Sequence, residues 1–336
     1  MKLFQRFIAT FAVLFILAGC DTNSATKLVP KPVIPDVEYS EKPTDVAYFS
    51  PKVDILFVID NSGSMSSVQK SLETNAYMFA DALSKMPVLD YHVGVISTDM
   101  ERYTESGKLQ GYPSYVERTT PNLVQSLSRR MVLGTGGSVT EVMFTPVMAA
   151  LSPALEAGEN AGFYRQDAYL AIIIITDANE QSRTSPKEFM DFLIRKKVDK
   201  RKILGYGVIR TVANAKVCTA GEDVDSKLEE FLAMTANGNA KQDNILSLCS
   251  TDYGTKLAEF AQDIVERSAG SVKLGRIPKR ETIRVKWGTQ EIPNDYHMGW
   301  TYRDATNTIE FGHQIQWSQQ PDGTQLSIVY DIIDLN

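Results

Sequence analysis

Two apolar runs set the limits on what this chain can fold into. Val53 to Ile59 and Tyr169 to Ile175 carry almost no polar residue, and Ile172 to Ile175 is unbroken isoleucine. A strand with one wet face alternates between apolar and polar positions. A strand without that alternation is covered on both faces, the condition of central strands in a parallel sheet layered by helices. Tyr91 to Ile96 and Ile203 to Ile209 read as further strands. Between them, helical spacing runs through Leu72, Met78, Phe79 and Leu83, then over 123–132, 146–155, 224–234 and 255–267. Ser185-Pro186-Lys187-Glu188 opens another helix with a capping box and proline at its first position. Strand and helix in alternation predict an α/β fold over 52–270, a doubly wound, mainly parallel sheet flanked by helices.

From Ser271 the pattern changes. Ile283, Val285 and Trp287 alternate with charged residues, Trp300–Tyr302 and Ile309–Phe311 flank a turn at 304–307, and Leu326, Ile328 and Tyr330 alternate again. This predicts a small C-terminal antiparallel β module over 271–336, of about five short strands. Trp287, Trp300 and Trp317 lie within these patterns and read as core.

The amino-terminal residues read as a leader. Lys2 and Arg6 precede an apolar core from Phe7 to Leu17, too short to span a bilayer. Leu17-Ala18-Gly19-Cys20 resembles the lipobox of bacterial lipoproteins. That resemblance implies removal of residues 1–19, acylation of Cys20, and a lipid-anchored protein of the cell envelope in contact with the bilayer. Asp21 resembles the inner-membrane retention signal of enterobacterial lipoproteins, which favours the periplasmic face of the inner membrane, with the outer membrane as the alternative. Residues 20–51, with Lys31-Pro32-Val33-Ile34-Pro35, read as a stalk linker. Within it, 37–50 is compatible with a strand added to a neighbour as well as with stalk. In an oxidising envelope the remaining Cys218 and Cys249 read as one disulfide, with two buried thiols as the alternative.

Ligands of parallel α/β sheets bind at the carboxyl ends of the strands. Here Asp60-Asn61-Ser62-Gly63-Ser64 follows the first run, Thr176-Asp177 follows the second, and Thr145 precedes a helical stretch. These are hard oxygen donors, suited to magnesium, manganese or calcium. In this order they resemble the von Willebrand factor A domain family and its metal-ion-dependent adhesion site. The resemblance implies one divalent cation, usually Mg²⁺, held by Asp60, Ser62, Ser64, Thr145 and Asp177. Thr140 is the alternative to Thr145. The family's usual Asp-Gly is Asp177-Ala178 here. It further implies a non-enzymatic role, in which an Asp or Glu of another envelope or surface protein completes the metal's shell.

Two other classes stand beside that expectation: a metal-dependent hydrolase, and a structural envelope component with a degenerate site. No histidine is placed as a general base, and His92, His297 and His313 are scattered. Gly134-Thr135-Gly136-Gly137 lacks the lysine of a phosphate loop, so no nucleotide is expected. A net charge of -6 argues against a nucleic-acid partner. Asp99 reads as a solvated turn carboxylate, with a place on the rim of the site as the alternative, and Arg195-Lys196-Lys197 with Lys200-Arg201-Lys202 as a solvated helix end, with contact to lipid headgroups as the alternative.

Overall fold

The structure is a computed structural model and describes residues 44–213, 216, 218, 226–236 and 244–333. The expected leader, Cys20, Asp21 and the stalk up to residue 43 lie outside the described residues.

The first element, β1 (Thr44–Phe49), is followed at once by β2 (Lys52–Ile59). With β3 (Asp90–Ser97), β4 (Val116–Glu117), β5 (Tyr169–Ile175), β6 (Ile203–Ile209) and β7 (Ile245–Ser247), β2 builds a six-stranded sheet in the order β4-β3-β2-β5-β6-β7. Every neighbouring pair is parallel except β3 with β4.

Helices cover both faces. Val53, Ile55, Phe57 and Ile59 of β2 join one core with α1 (Ser66–Ser84), α2 (Leu123–Met131) and α7 (Tyr253–Ala269). Leu56 and Val58 point into a second core with α3 (Phe144–Ala150), α5 (Pro186–Lys197) and α6 (Ser226–Thr235). Both sides of β2 are thus buried, which accounts for its lack of alternation. Phe144, Phe189 and Phe231 lock the second layer together, with ring centroids 4.4, 4.9 and 5.7 Å apart.

The helix expected over 146–155 is broken. It ends at Ala150, and α4 (Pro153–Glu156) begins afresh. Pro153 forces the preceding Ser152 into an extended conformation, and the Ser152 hydroxyl then accepts the Leu155 N–H. The capping box of α5 is present as expected, with Glu188 accepting from the Ser185 N–H and Ser185 from the Glu188 N–H. Cys218 and Cys249 form a disulfide with Cα atoms 5.5 Å apart, tying the connection after β6 to the loop before α7.

The C-terminal strands are β8 (Ser271–Lys273), β9 (Arg284–Trp287), β10 (Gln290–Ile292), β11 (Trp300–Arg303), β12 (Thr308–Phe311) and β13 (Leu326–Asp331). They form two antiparallel sheets, β1-β13-β9-β10 and β11-β12-β8. Of the two readings left open for 37–50, residues 44–49 take the strand. β1 pairs with β13 from Thr44↔Asp331 to Phe49↔Leu326, and Ala47 and Phe49 pack on the module's core. The pairing reaches across most of the chain, so local pattern alone could not reveal it. Trp287 and Trp300 are buried, with indole N–H groups donating to Ser318 O (2.8 Å) and Ile292 O (2.9 Å). Trp317 is half-buried and packs edge-on against Trp287. All three serve as core.

Candidate metal-binding site

β2 and β5 run side by side and end together, with Ile59 opposite Ile175. The Asp60 N–H still donates to Ile175 O at 2.9 Å, so Asp60 leaves the sheet as the last ordered step of the ladder. Its carboxylate is fully buried and doubly engaged. Oδ1 accepts the Ser62 N–H (2.8 Å) and Oδ2 accepts the Thr176 hydroxyl (2.7 Å). Gln69 of α1 donates from Nε2 to the Asp60 carbonyl (2.9 Å), while its Oε1 accepts the Leu133 N–H (3.0 Å). Asp60 thereby fixes the turn that presents the two serines.

The serines are joined to Asp177. Ser62 Oγ and Ser64 Oγ lie 3.0 Å apart, and Ser64 Oγ donates to Asp177 Oδ1 at 2.9 Å. Ser62 and Asp177 are buried and Ser64 between them is exposed, so the chain of oxygens reaches the surface at Ser64. Six oxygens at about 2.0–2.1 Å around magnesium have adjacent pairs about 2.8–3.0 Å apart. The separations of 3.0 and 2.9 Å are ordinary hydrogen-bond lengths that are also compatible with such an edge. Among the described residues no group of three or more His, Cys, Asp or Glu is placed to hold a metal, so an ion here would rest on hydroxyl donors too.

The hydrogen bonds of Thr145 go to Ser182. The Thr145 hydroxyl donates to Ser182 Oγ (2.9 Å), and its N–H donates to the same oxygen (3.2 Å). The alternative, Thr140, is exposed, and its N–H donates to Ser138 Oγ. The start of α3 is clamped to the loop after β5 by Glu180, whose Oε2 accepts the Met143 and Phe144 N–H groups at 2.8 and 3.0 Å. Burial pushes the Glu180 pKa up, against the lowering effect of those bonds.

Asp99 is corrected. It is 1% exposed and no solvated turn residue. Its carboxylate accepts N–H groups from Glu101 (2.8 Å), Arg102 (3.1 Å) and Ser138 (3.1 Å), which ties the loop after β3 to the Gly-rich segment. Asn61 adds a second tie. Its side chain donates to Glu105, and its carbonyl accepts the Gly137 N–H at 2.7 Å. The anchoring roles of Asn61, Asp99 and Thr176 are not read from the sequence, and Glu180 is not singled out there at all. Only the hydroxyl beside Asp177 offered a local signal.

In the basic cluster Arg195, Lys200 and Arg201 are exposed as expected, and Lys197 is corrected. Lys197 is buried, 3.7 Å from Asp54 Oδ2 and 4.2 Å from the centre of the Tyr164 ring. Arg165 binds the same buried Asp54 at 2.8 Å. Burial drives the Lys197 pKa down to about 8, with Asp54 opposing the shift. Asp54 lies near the start of β2 and Asp60 follows its end, so this cluster belongs to the far edge of the sheet from the serines. The histidines are not all scattered: the His297 and His313 rings lie 5.7 Å apart.

No protein-family model and no curated protein matches the chain. Solved structures of similar fold include the pilus adhesin SpaC of Lactobacillus rhamnosus GG, at 10% identity and a TM-score of 0.41, covering 88% of this chain and 41% of that one. A von Willebrand factor type A protein from Catenulispora acidiphila matches at 14% identity and a TM-score of 0.37, covering 87% and 61%. Proximal thread matrix protein 1 of the mussel byssus, with a zinc-occupied MIDAS motif, matches at 11% identity and a TM-score of 0.39, covering 69% and 52%. The chain spans less than two thirds of each of these structures.

Proposed function

We propose that this protein is a non-enzymatic binding protein that captures a partner through a divalent cation held by Ser62, Ser64, Asp60 and Asp177. The observation that carries the reading is the run of oxygens from Ser62 through Ser64 to Asp177, spaced at 3.0 and 2.9 Å where the loop reaches the surface. Hydroxyls are neutral ligands and the two aspartates supply the negative charge. An ion so held stays electrophilic and accepts an Asp or Glu carboxylate from a partner. Magnesium fits the spacing; the zinc named for the mussel protein belongs in the assay beside it. Thr145, bonded to Ser182, lies outside this donor set. The partner belongs to the cell envelope if Cys20 is acylated as its sequence context suggests.

The test is capture of envelope proteins on the immobilised protein, with magnesium or with chelator, for wild type, Asp60→Ala and Ser64→Ala. Partners retained only by wild type with magnesium support the reading. Capture that ignores both the chelator and the substitutions refutes it. Turnover of phosphate or carboxyl esters that disappears in Asp60→Ala would instead make the protein a hydrolase.

A further inference from the structure

A cavity of about 530 Å³ opens between the loop after β3 and helix α2, away from the serines. Its walls include Gln110, Tyr112, Asn122, Gln125, Arg129 and Arg130, and contain no Asp or Glu. Arg130 is 7% exposed, yet among the described residues no carboxylate reaches it. Its Nη1 donates to Ser126 O (2.9 Å) and Ser126 Oγ (2.6 Å), and its Nη2 to Pro113 O (2.6 Å). All three acceptors are neutral. Nε is buried without a partner. A guanidinium has five N–H donors, so two remain unused, Nε–H and one on Nη2.

A buried charge without a counter-charge is expensive, and removing such a group normally costs a fold little. Burial also disfavours the charged form of Arg130. A neutral residue of similar shape would pack here without that penalty. Gly111 lets the backbone approach the guanidinium closely, since a Cβ there would lie 2.9 Å from Nε. Arg129, exposed on the same turn of α2, adds a second positive charge at the rim. The amides of Gln125 and Asn122 add neutral donors.

We infer that this cavity binds a small organic anion, with its carboxylate or phosphate group on Arg130 and Arg129. The volume lies within the range of small-molecule sites, about 300–1,000 Å³, and far exceeds that of a bare phosphate ion. Tyr112, 97% exposed, offers an aromatic face for an apolar body beside the charged head.

The experiment uses the full protein and three matched probes: phenyl phosphate, phenylacetate and neutral benzyl alcohol. Binding is read by ligand-observed NMR and by calorimetry. At least one anion is expected to bind saturably below about 10 mM, with benzyl alcohol far weaker. Arg130→Lys and Arg129→Glu should each weaken anion binding by about tenfold or more. Arg201→Glu, an exposed charge reversal elsewhere, should leave it unchanged. Arg129 is exposed, so Arg129→Glu remains informative even if Arg130→Lys fails to fold. Equal binding of benzyl alcohol, no saturable anion binding, or wild-type affinity in Arg129→Glu would each overturn the inference and leave Arg130 as a brace for Pro113.

Discussion

Replacing Gly137 by alanine should loosen the metal loop without touching any proposed ligand. A Cβ at this position would meet Asn61 Oδ1, and would come within 2.5 Å of Asn61 Cγ and 2.8 Å of the Asn61 carbonyl oxygen. Ordinary contacts begin near about 3.4 Å, so the Asn61 side chain must retreat by roughly an ångström. It has little room, because its Nδ2 is held by Glu105 and its carbonyl by the Gly137 N–H. Overpacking of this kind costs about 1–3 kcal/mol, and a weakened hydrogen bond about 0.5–1.5 kcal/mol more. The expected loss of stability is therefore about 2–4 kcal/mol. Asn61 lies between Asp60 and Ser62, so magnesium affinity should fall by about tenfold or more. Denaturant unfolding and calorimetric magnesium titration read the two effects. Gly134→Ala is the control. Its φ of 80° makes it costly, but nothing lies within 4 Å of the added carbon, so metal affinity should be unchanged. If Gly137→Ala unfolds within about 0.5 kcal/mol of wild type and binds magnesium equally well, the loop is not held as described.

Further outcomes follow from the same contacts. The Lys197 pKa of about 8 lies below that of a free lysine, so between those values the unfolded chain binds a proton that the folded chain has lost. Stability should therefore rise with pH from about 8 towards 10, by about 1–3 kcal/mol; Lys197→Met should abolish that rise in urea titrations, and a rise that persists would assign it to other groups. Glu180→Ala strips the acceptor from the Met143 and Phe144 N–H groups and should cost about 3 kcal/mol or more, with Glu180→Gln milder; equal unfolding midpoints for the three proteins would refute that role. Reducing the Cys218–Cys249 bond, or Cys218→Ser, should cost about 2–4 kcal/mol, and a reducing agent without effect on the unfolding midpoint would count against it.

What the sequence reveals divides along physical lines. β2 and β5 are legible because burial on both faces erases alternation over a whole strand. Asp60, Ser62, Ser64 and Asp177 are legible because each sits at or just past the end of such a run. The partner of Thr145 is not legible: Ser182, which takes its hydroxyl, comes from another loop, and nothing near Thr145 announces it. Asp99 and Lys197 look solvated in sequence because their partners, Ser138 and Asp54, lie far along the chain. β4 and β7 are too short to show a period. β1 has a period, but its partner β13 is at the other end of the chain.

The central claim is that Ser62, Ser64 and the two aspartates hold a metal. Anomalous diffraction from crystals grown with manganese locates such an ion directly. The account predicts one strong peak within bonding distance of the Ser62 and Ser64 hydroxyl oxygens, absent from Ser62→Ala/Ser64→Ala crystals. No peak at the serines, or one that persists in that variant, would contradict it.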